Sequence, residues 1–413
     1  MRVFLTLSVA ASLAVESVTD NLSIGLILLT RIFRSIAAGI INVVLPFLVL
    51  KEMNESLFTL GLIYTAATLA TAGLGFFIGF ATDYSRKATY VFALALLPLS
   101  TALIYYSQSL AIVFLAAMVG GFASTGSLAG GGIGGAAQPI QSTVITDVTS
   151  RLERTYYYGI MSFVAGLASA AGAFLVYAEP SFTATALLGI ATVLSAISVP
   201  PALFVKTSKS SKKPRSFKLH SGKVIGKFGL TGLLNGLANG LVTPFLIPFF
   251  IVTYGFTQDT MALYTMVAGI IGACVFLLAP RLEHILGFVK GVIITRGATI
   301  FMLLVFPFVK LLPISLGIYL AYPAFRVAAF PVIQSAMMDM VDEDERGRLF
   351  GVNQATRLTA SSAGTAFAGY EFDMSAIGVP FVAYALILGV NLFMYSKFFS
   401  YYRDPLKKGK KVT

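Results

Sequence analysis

Twelve apolar stretches, each near the length an α-helix needs to cross a lipid bilayer, follow one another along this chain, with charged residues gathered between them. About 20 apolar residues in helical form span the hydrocarbon core of a membrane. Runs of that kind lie near 26–50, 58–82, 88–106, 111–146, 156–178 and 181–205, then near 228–254, 261–279, 291–309, 313–338, 349–370 and 375–396. The breaks carry loop chemistry, as in Lys51-Glu52-Met53-Asn54-Glu55, Asp83-Tyr84-Ser85-Arg86-Lys87 and Glu179-Pro180. The expected fold is an all-α membrane protein with twelve transmembrane helices. A water-soluble domain is excluded, because only 12% of the 413 residues are charged, against about 25% in ordinary soluble domains.

Orientation follows from the basic residues, which are retained on the cytoplasmic side of a membrane. With the amino terminus inside, 22 of the 30 Lys and Arg fall in cytoplasmic loops and the tail, and only Lys51 and Lys310 fall in outer loops. This predicts both termini in the cytoplasm and a multi-pass protein of the plasma membrane. The net charge of +12 is then a topology signal, and no nucleic-acid partner is expected. The stretch 206–227 holds eight basic residues and no acid. It reads as a cytoplasmic linker near anionic headgroups, joining six-helix bundles at 26–205 and 228–400, with a second basic segment at 401–413. Residues 1–25 read as an uncleaved extension. VFLTLSVAASLA after Arg2 resembles a signal-peptide core, but cleavage would place the new terminus outside, against the charge count.

Shifting the sequence by 192 residues aligns 137–172 with 329–364 without a gap, with ten identities in 36 positions. Among them are Pro139/Pro331, Asp147/Asp339, Arg154/Arg346, Ser169/Ser361 and Gly172/Gly364. Each segment occupies the fourth to fifth crossing of its own half, so the halves are expected to be parallel structural repeats. In such an architecture the solute path runs between the halves near the bilayer midplane.

On this layout the chain resembles the major facilitator superfamily. The loop Gly79-Phe80-Ala81-Thr82-Asp83-Tyr84-Ser85-Arg86-Lys87 is similar to the family's signature after the second helix, with Tyr84 where arginine is usual and without the glycine before the basic pair. Asp-x5-Glu-Arg followed by aromatic-Gly, at 147–159 and 339–351, looks like the family's loops after helices four and ten. The resemblance implies a secondary transporter working by alternating access, with the lipid bilayer and a small solute as partners and a coupling ion or counter-substrate to drive it. It also implies a gate latch formed by Gly79, Asp83, Arg86 and Lys87, with Asp147, Arg154, Asp339 and Arg346 in the related loops. Independently, a carboxylate at a helix end can pair with Arg86 or cap a neighbouring helix, a contact that breaks when bundles rock apart. The plainer reading of that loop is a basic turn that sets topology.

All 18 acidic residues can be placed at helix ends, in loops or in the termini, and both histidines fall outside the apolar runs. The spans therefore hold arginines without resident acids. Arg326 lies 13 residues after Pro313 and 13 before Asp339, roughly 20 Å from either end of a helix rising about 1.5 Å per residue. A charge at that depth costs at least ~2.5 kcal/mol, so it faces protein, water or an anion. Arg357 in the eleventh span, beside Asn353 and Gln354, and Arg34 in the first are further candidates for a solute-binding site. Arg31 and Arg34 have the alternative of reaching the surface or helix carbonyls, and Arg296 reads as structural. In the fourth span, Gly130 to Gly135 contains five glycines and precedes Gln138 and Gln141. G-x-G-x-x-G without a strand before it is not a dinucleotide site. It reads either as a loosened helix with Gln138 and Gln141 exposed to solute, or as close small-residue packing.

With one cysteine, Cys274, and no catalytic triad, phosphate loop or metal cluster, the chain is read as a non-enzyme without cofactors, and a monomer. The leading expectation is transport of an organic anion. Efflux of drugs or hydrophobic metabolites is the alternative; the resemblance implies a carboxylate in the first or fourth span for the family's proton-coupled drug antiporters, and here the first has none and the fourth none before Asp147.

Overall fold

The computed structural model describes residues 2–121, 154–205, 221–309, 311–341 and 345–400, with backbone alone for some, including 2–21, 82–84, 154–156 and 346–348. The first half comprises Arg2–Phe47, Leu57–Tyr84, Arg86–Tyr106, Leu110–Gly120, Arg154–Ala178 and Ala184–Ile197. The second comprises Gly222–Val242 continued by Leu246–Thr253, then Gln258–Leu286, Phe288–Val305, Leu312–Ala328 with Phe330–Asp339, Arg346–Asp373 and Gly378–Phe399. These are twelve spans in the expected order, with no strand among the described residues. Ten are long and apolar enough to cross a membrane. Of the other two, the fourth is described only over its first 11 residues, and the eleventh is rich in Arg, Asn, Gln, Ser and Thr. Ser56, Ser85 and Thr183 start helices by accepting the N–H three residues on, at 3.1, 3.3 and 3.2 Å, as N-caps do.

The internal repeat is built into the packing. In the first half, a Cβ on Gly39 would overlap the Ser169 carbonyl, and one on Gly172 would overlap that of Ile36. In the second half, Gly240 stands to Ser361, and Gly364 to Leu237, in the same way. Spans one and five, and spans seven and eleven, thus cross backbone to backbone through equivalent residues. Without a hydrophobic force between helices in lipid, this close approach and its dispersion contacts drive association. On the seventh span Gly232, Gly236 and Gly240 form a row with spacing four, and each faces the eleventh.

Two spans break where the sequence reading drew single helices. Pro244 has no N–H to give to the Gly240 carbonyl four residues back, so the seventh span passes through a 3-10 turn at Thr243–Phe245. Thr365 Oγ1 donates to the Gly240 carbonyl instead, at 3.1 Å. The tenth span is interrupted at Ala329, two residues before Pro331.

Towards the end bearing the loop at 53–56, the halves share one apolar core drawn from residues 37–49, 60–67, 241–251 and 368–372. There Gly61 and Gly369 meet, a Cβ on Gly61 falling 3.0 Å from the Gly369 Cα. The Phe245 ring fills the notch beside both glycines and stacks on Phe372 at 4.9 Å. Towards the opposite end each half keeps a core of its own, around Ile27, Tyr90 and Tyr158 in one and Phe228, Val332 and Phe399 in the other.

Candidate solute-binding site

Three arginines from three adjoining spans converge in the second half. Arg326 lies in the last turn of Leu312–Ala328, so the break after it places the guanidinium near the negative end of a helix dipole. Its Nη1 donates to Thr243 Oγ1 at 3.4 Å, and the Tyr322 hydroxyl shares that Oγ1 at 3.2 Å. Thr243 occupies the 3-10 turn, so the Pro244 break presents its hydroxyl to the tenth span. Arg357 donates through Nη2 to Gln354 Oε1 at 2.7 Å, one turn earlier on the eleventh span. Arg296, on the ninth, donates to Asn391 Oδ1 at 3.0 Å and lies 5.2 Å from the Tyr395 ring centre. Asn391 is wholly buried and donates in turn to the Thr231 carbonyl at 2.7 Å.

The charges of Arg326 and Arg296 both act on Arg357 and on the buried Tyr384 hydroxyl, which donates to Thr299 Oγ1 at 2.9 Å. The partners of Arg357 and Arg296 are amides and a ring, with no carboxylate among the described residues. In a low-dielectric interior, like charges that act on one another favour an anion that enters between them. Among the described residues no three His, Cys, Asp or Glu side chains come together to hold a metal ion.

The structure thus brings Arg326 and Arg357 together. It does not bring Arg34 to them. Arg34 is buried in the first half, with Nη1 3.4 Å from the Leu94 carbonyl, close to Tyr90 and Arg31. Asn353 faces away from Arg357, its Nδ2 donating to the Phe228 carbonyl at 2.7 Å and tying the eleventh span to the seventh. Gln138, Gln141 and Asp147 lie outside the described residues. Gly79 and Asp83 fall within Leu57–Tyr84, and Arg86 and Lys87 open the third span. Arg154 and Arg346 begin the fifth and eleventh spans, and Asp339 ends the tenth. Within the second Asp-x5-Glu-Arg motif, Glu345 is buried and its Oε2 accepts the Ser221 N–H at 2.9 Å, holding the start of the seventh span. Thr243, Tyr322, Tyr384 and Asn391 were not singled out from the sequence. Tyr322 alone carried a usable signal, standing one helical turn before Arg326.

The family model described as Major Facilitator Superfamily matches residues 27–365. The chain belongs to the major facilitator superfamily. No curated protein sequence matches it significantly. Among solved structures, the human organic anion transporter MFSD10 (TETRAN) is similar with a TM-score of 0.71 at 15% identity, covering 91% of this chain and 99% of that one. The nucleoside transporter NupG, as a point mutant, has a TM-score of 0.67 at 15% identity, covering 92% and 100%. Unmutated NupG gives 0.62 at 15%, covering 93% and 100%. As a superfamily member with this fold, the protein is a multi-pass membrane transporter of the secondary active, alternating-access kind, and its partner is a small molecule.

Proposed function

We propose that this superfamily transporter carries an organic anion, bound by Arg326 and Arg357. The observation that carries the reading is the setting of Arg357, whose charge is felt by two other arginines and whose hydrogen-bond partner is a neutral amide. Similarity in fold to an organic anion transporter is in keeping with it. Gln138, Gln141 and Arg34 are proposed to complete the path from the first half, with Asn353 supporting the eleventh span. Gly79, Asp83, Arg86, Lys87, Asp147, Arg154, Asp339 and Arg346 are proposed as the gate latch. With the basic loops in the cytoplasm, the shared apolar core lies at the outer face, which supports a conformation sealed towards the exterior.

Drug or hydrophobic-metabolite efflux would want the arginines occupied by backbone. Arg34 meets that condition through Leu94, whereas Arg357 bonds a side chain. The test is a thermal-shift screen of purified protein against organic anions and lipophilic cations, followed by flux in liposomes. Stabilisation by an anion class that weakens at least tenfold in Arg326→Ala and Arg357→Gln is expected. Shifts by lipophilic cations alone, unchanged in both variants, would overturn the reading in favour of efflux.

A further inference from the structure

We propose that Gln354 is a specificity-determining residue: its Nε2 donates to the oxyanion of the solute beside Arg357, so that the site prefers a carboxylate to the isosteric primary amide. The inference rests on the reading of Arg357 as part of the anion site, and it adds a contact residue and a selectivity to that reading.

The direction of Gln354 follows from the neighbours of the eleventh span, a continuous helix over Arg346–Asp373 that turns about 100° per residue. Asn353 Nδ2, the Arg357 carbonyl and the Ser361 carbonyl meet Gly232, Gly236 and Gly240 of the seventh span. These three residues lie within about 80° of one another round the helix. The Ser362 carbonyl accepts from Thr65 Oγ1 of the second span at 3.3 Å, and Gly369 meets Gly61 of the same span. That stripe is about 160–180° round from Asn353. Val352, Phe367 and Tyr370, all exposed, lie about 260–320° round and mark the lipid side. Gln354 stands at about 100°, away from lipid and between the stripes that face the seventh and second spans. It is only 6% exposed.

The chemistry of its partner fixes which way round the amide lies. A guanidinium has donors only, so the atom that meets Arg357 Nη2 at 2.7 Å is the oxygen, Oε1, and both N–H bonds of Nε2 are left to face elsewhere. Nε2 has no acceptor among the described residues, and neither have Nε and Nη1 of Arg357. Ser361 Oγ, on the same face two turns further on, is closed in by its neighbours without a partner, whereas Nε2 is not closed in. The charge-assisted bond to Oε1 polarises the amide and strengthens Nε2 as a donor. Arg357 and Gln354, one helical turn apart, therefore present a set of donors that an acceptor-only group satisfies. A carboxylate offers an oxygen to each side chain. A primary amide offers one oxygen and one NH2, so a donor is left facing a donor, and an unmatched buried polar group is costly.

The experiment measures dissociation constants of the purified full-length protein for two isosteric pairs, benzoate with benzamide and hexanoate with hexanamide. Wild type, Gln354→Met, Gln354→Glu and Arg357→Gln are compared. Wild type is expected to bind the acid of each pair more tightly. Gln354→Met keeps the length and removes the donors, so it should weaken the acids roughly ten- to hundredfold, the range for a hydrogen bond to a charged group, and the amides less. Gln354→Glu pairs with Arg357 and turns an acceptor towards the solute, so it should lose the acids and bind the amides more tightly than wild type does. Acid binding unchanged in Gln354→Met, or acids lost in Gln354→Glu with no gain for the amides, would leave Gln354 as a residue that only places Arg357 and overturn the inference. If Gln354→Glu does not fold, Gln354→Met decides: a larger loss for the acids supports the inference, and equal losses within each pair overturn it. Wild type that binds neither acid, or Arg357→Gln that binds both as wild type does, would instead sink the underlying anion site.

Discussion

The backbone of Gly240 rests directly against the carbonyl of Ser361. It is the counterpart of Gly39 against Ser169 in the other half, and it leaves no room for a side chain between the seventh and eleventh spans. Gly240→Ala is expected to destabilise the protein by about 1–3 kcal/mol, the range for forced overpacking. Gly297→Ala, at a glycine with nothing within 4 Å of an added Cβ, should leave the melting temperature unchanged or slightly higher. Thermal unfolding of both variants in detergent checks the pair. Equal melting temperatures would mean that the contact is not a tight one.

Gly61 and Gly369 meet where the two halves share one apolar core, at the end bearing the loop at 53–56. A Cβ built on either glycine falls 3.0 or 3.1 Å from the other's Cα, which brings cysteines at the two positions within reach of a disulfide. In a Cys274→Ser background, Gly61→Cys with Gly369→Cys should cross-link on oxidation and stop flux in liposomes, and reduction should restore it. Full flux from fully cross-linked protein would show that this face does not open during transport.

Thr243 is the hydroxyl shared by Arg326 and Tyr322. Thr243→Val keeps the shape and removes that acceptor. Loss of one net hydrogen bond is worth about 1 kcal/mol, so anion affinity should fall roughly three- to tenfold, with Thr243→Ser close to wild type. Direct binding measurements settle this, and an unchanged constant in Thr243→Val would mean that Arg326 is placed by other contacts.

Glu345 accepts the Ser221 N–H at the start of the seventh span. Removing an acceptor at a helix start costs about 0.5–2 kcal/mol, so Glu345→Ala should lower the melting temperature. Glu345→Gln retains an acceptor and weakens the interaction of the charge with the helix dipole, about 0.3–1 kcal/mol. The order wild type, Gln, Ala in thermal unfolding is expected, and Ala equal to wild type would remove the capping role.

The twelve spans were legible because a membrane demands long apolar helices whatever the packing, and that demand shows residue by residue. The repeat at 137–172 and 329–364 was legible too, since Ser169/Ser361 and Gly172/Gly364 are the residues at which helices meet. Less of the candidate site could be read. Depth along a helix marked Arg326 and Arg357, but depth does not give direction around the helix. Asn353, adjacent in sequence to Gln354, turns out to face the seventh span, while Gln354 holds Arg357. Arg296, read as structural, has structural partners and yet reaches the same electrostatic neighbourhood.

What the sequence determined by itself was therefore the set of requirements the bilayer imposes locally: twelve helices, two related halves, and basic loops on one side. Which charges became neighbours was decided by the tertiary structure alone. Arg296, Arg326 and Arg357 are separated by 30 and 31 positions in the chain, and they become electrostatic neighbours only through the packing of the ninth, tenth and eleventh spans. Electrostatic interaction depends on distance in space, and in a helical bundle that distance is set by side-chain direction and crossing geometry, which hydrophobicity along the sequence does not encode.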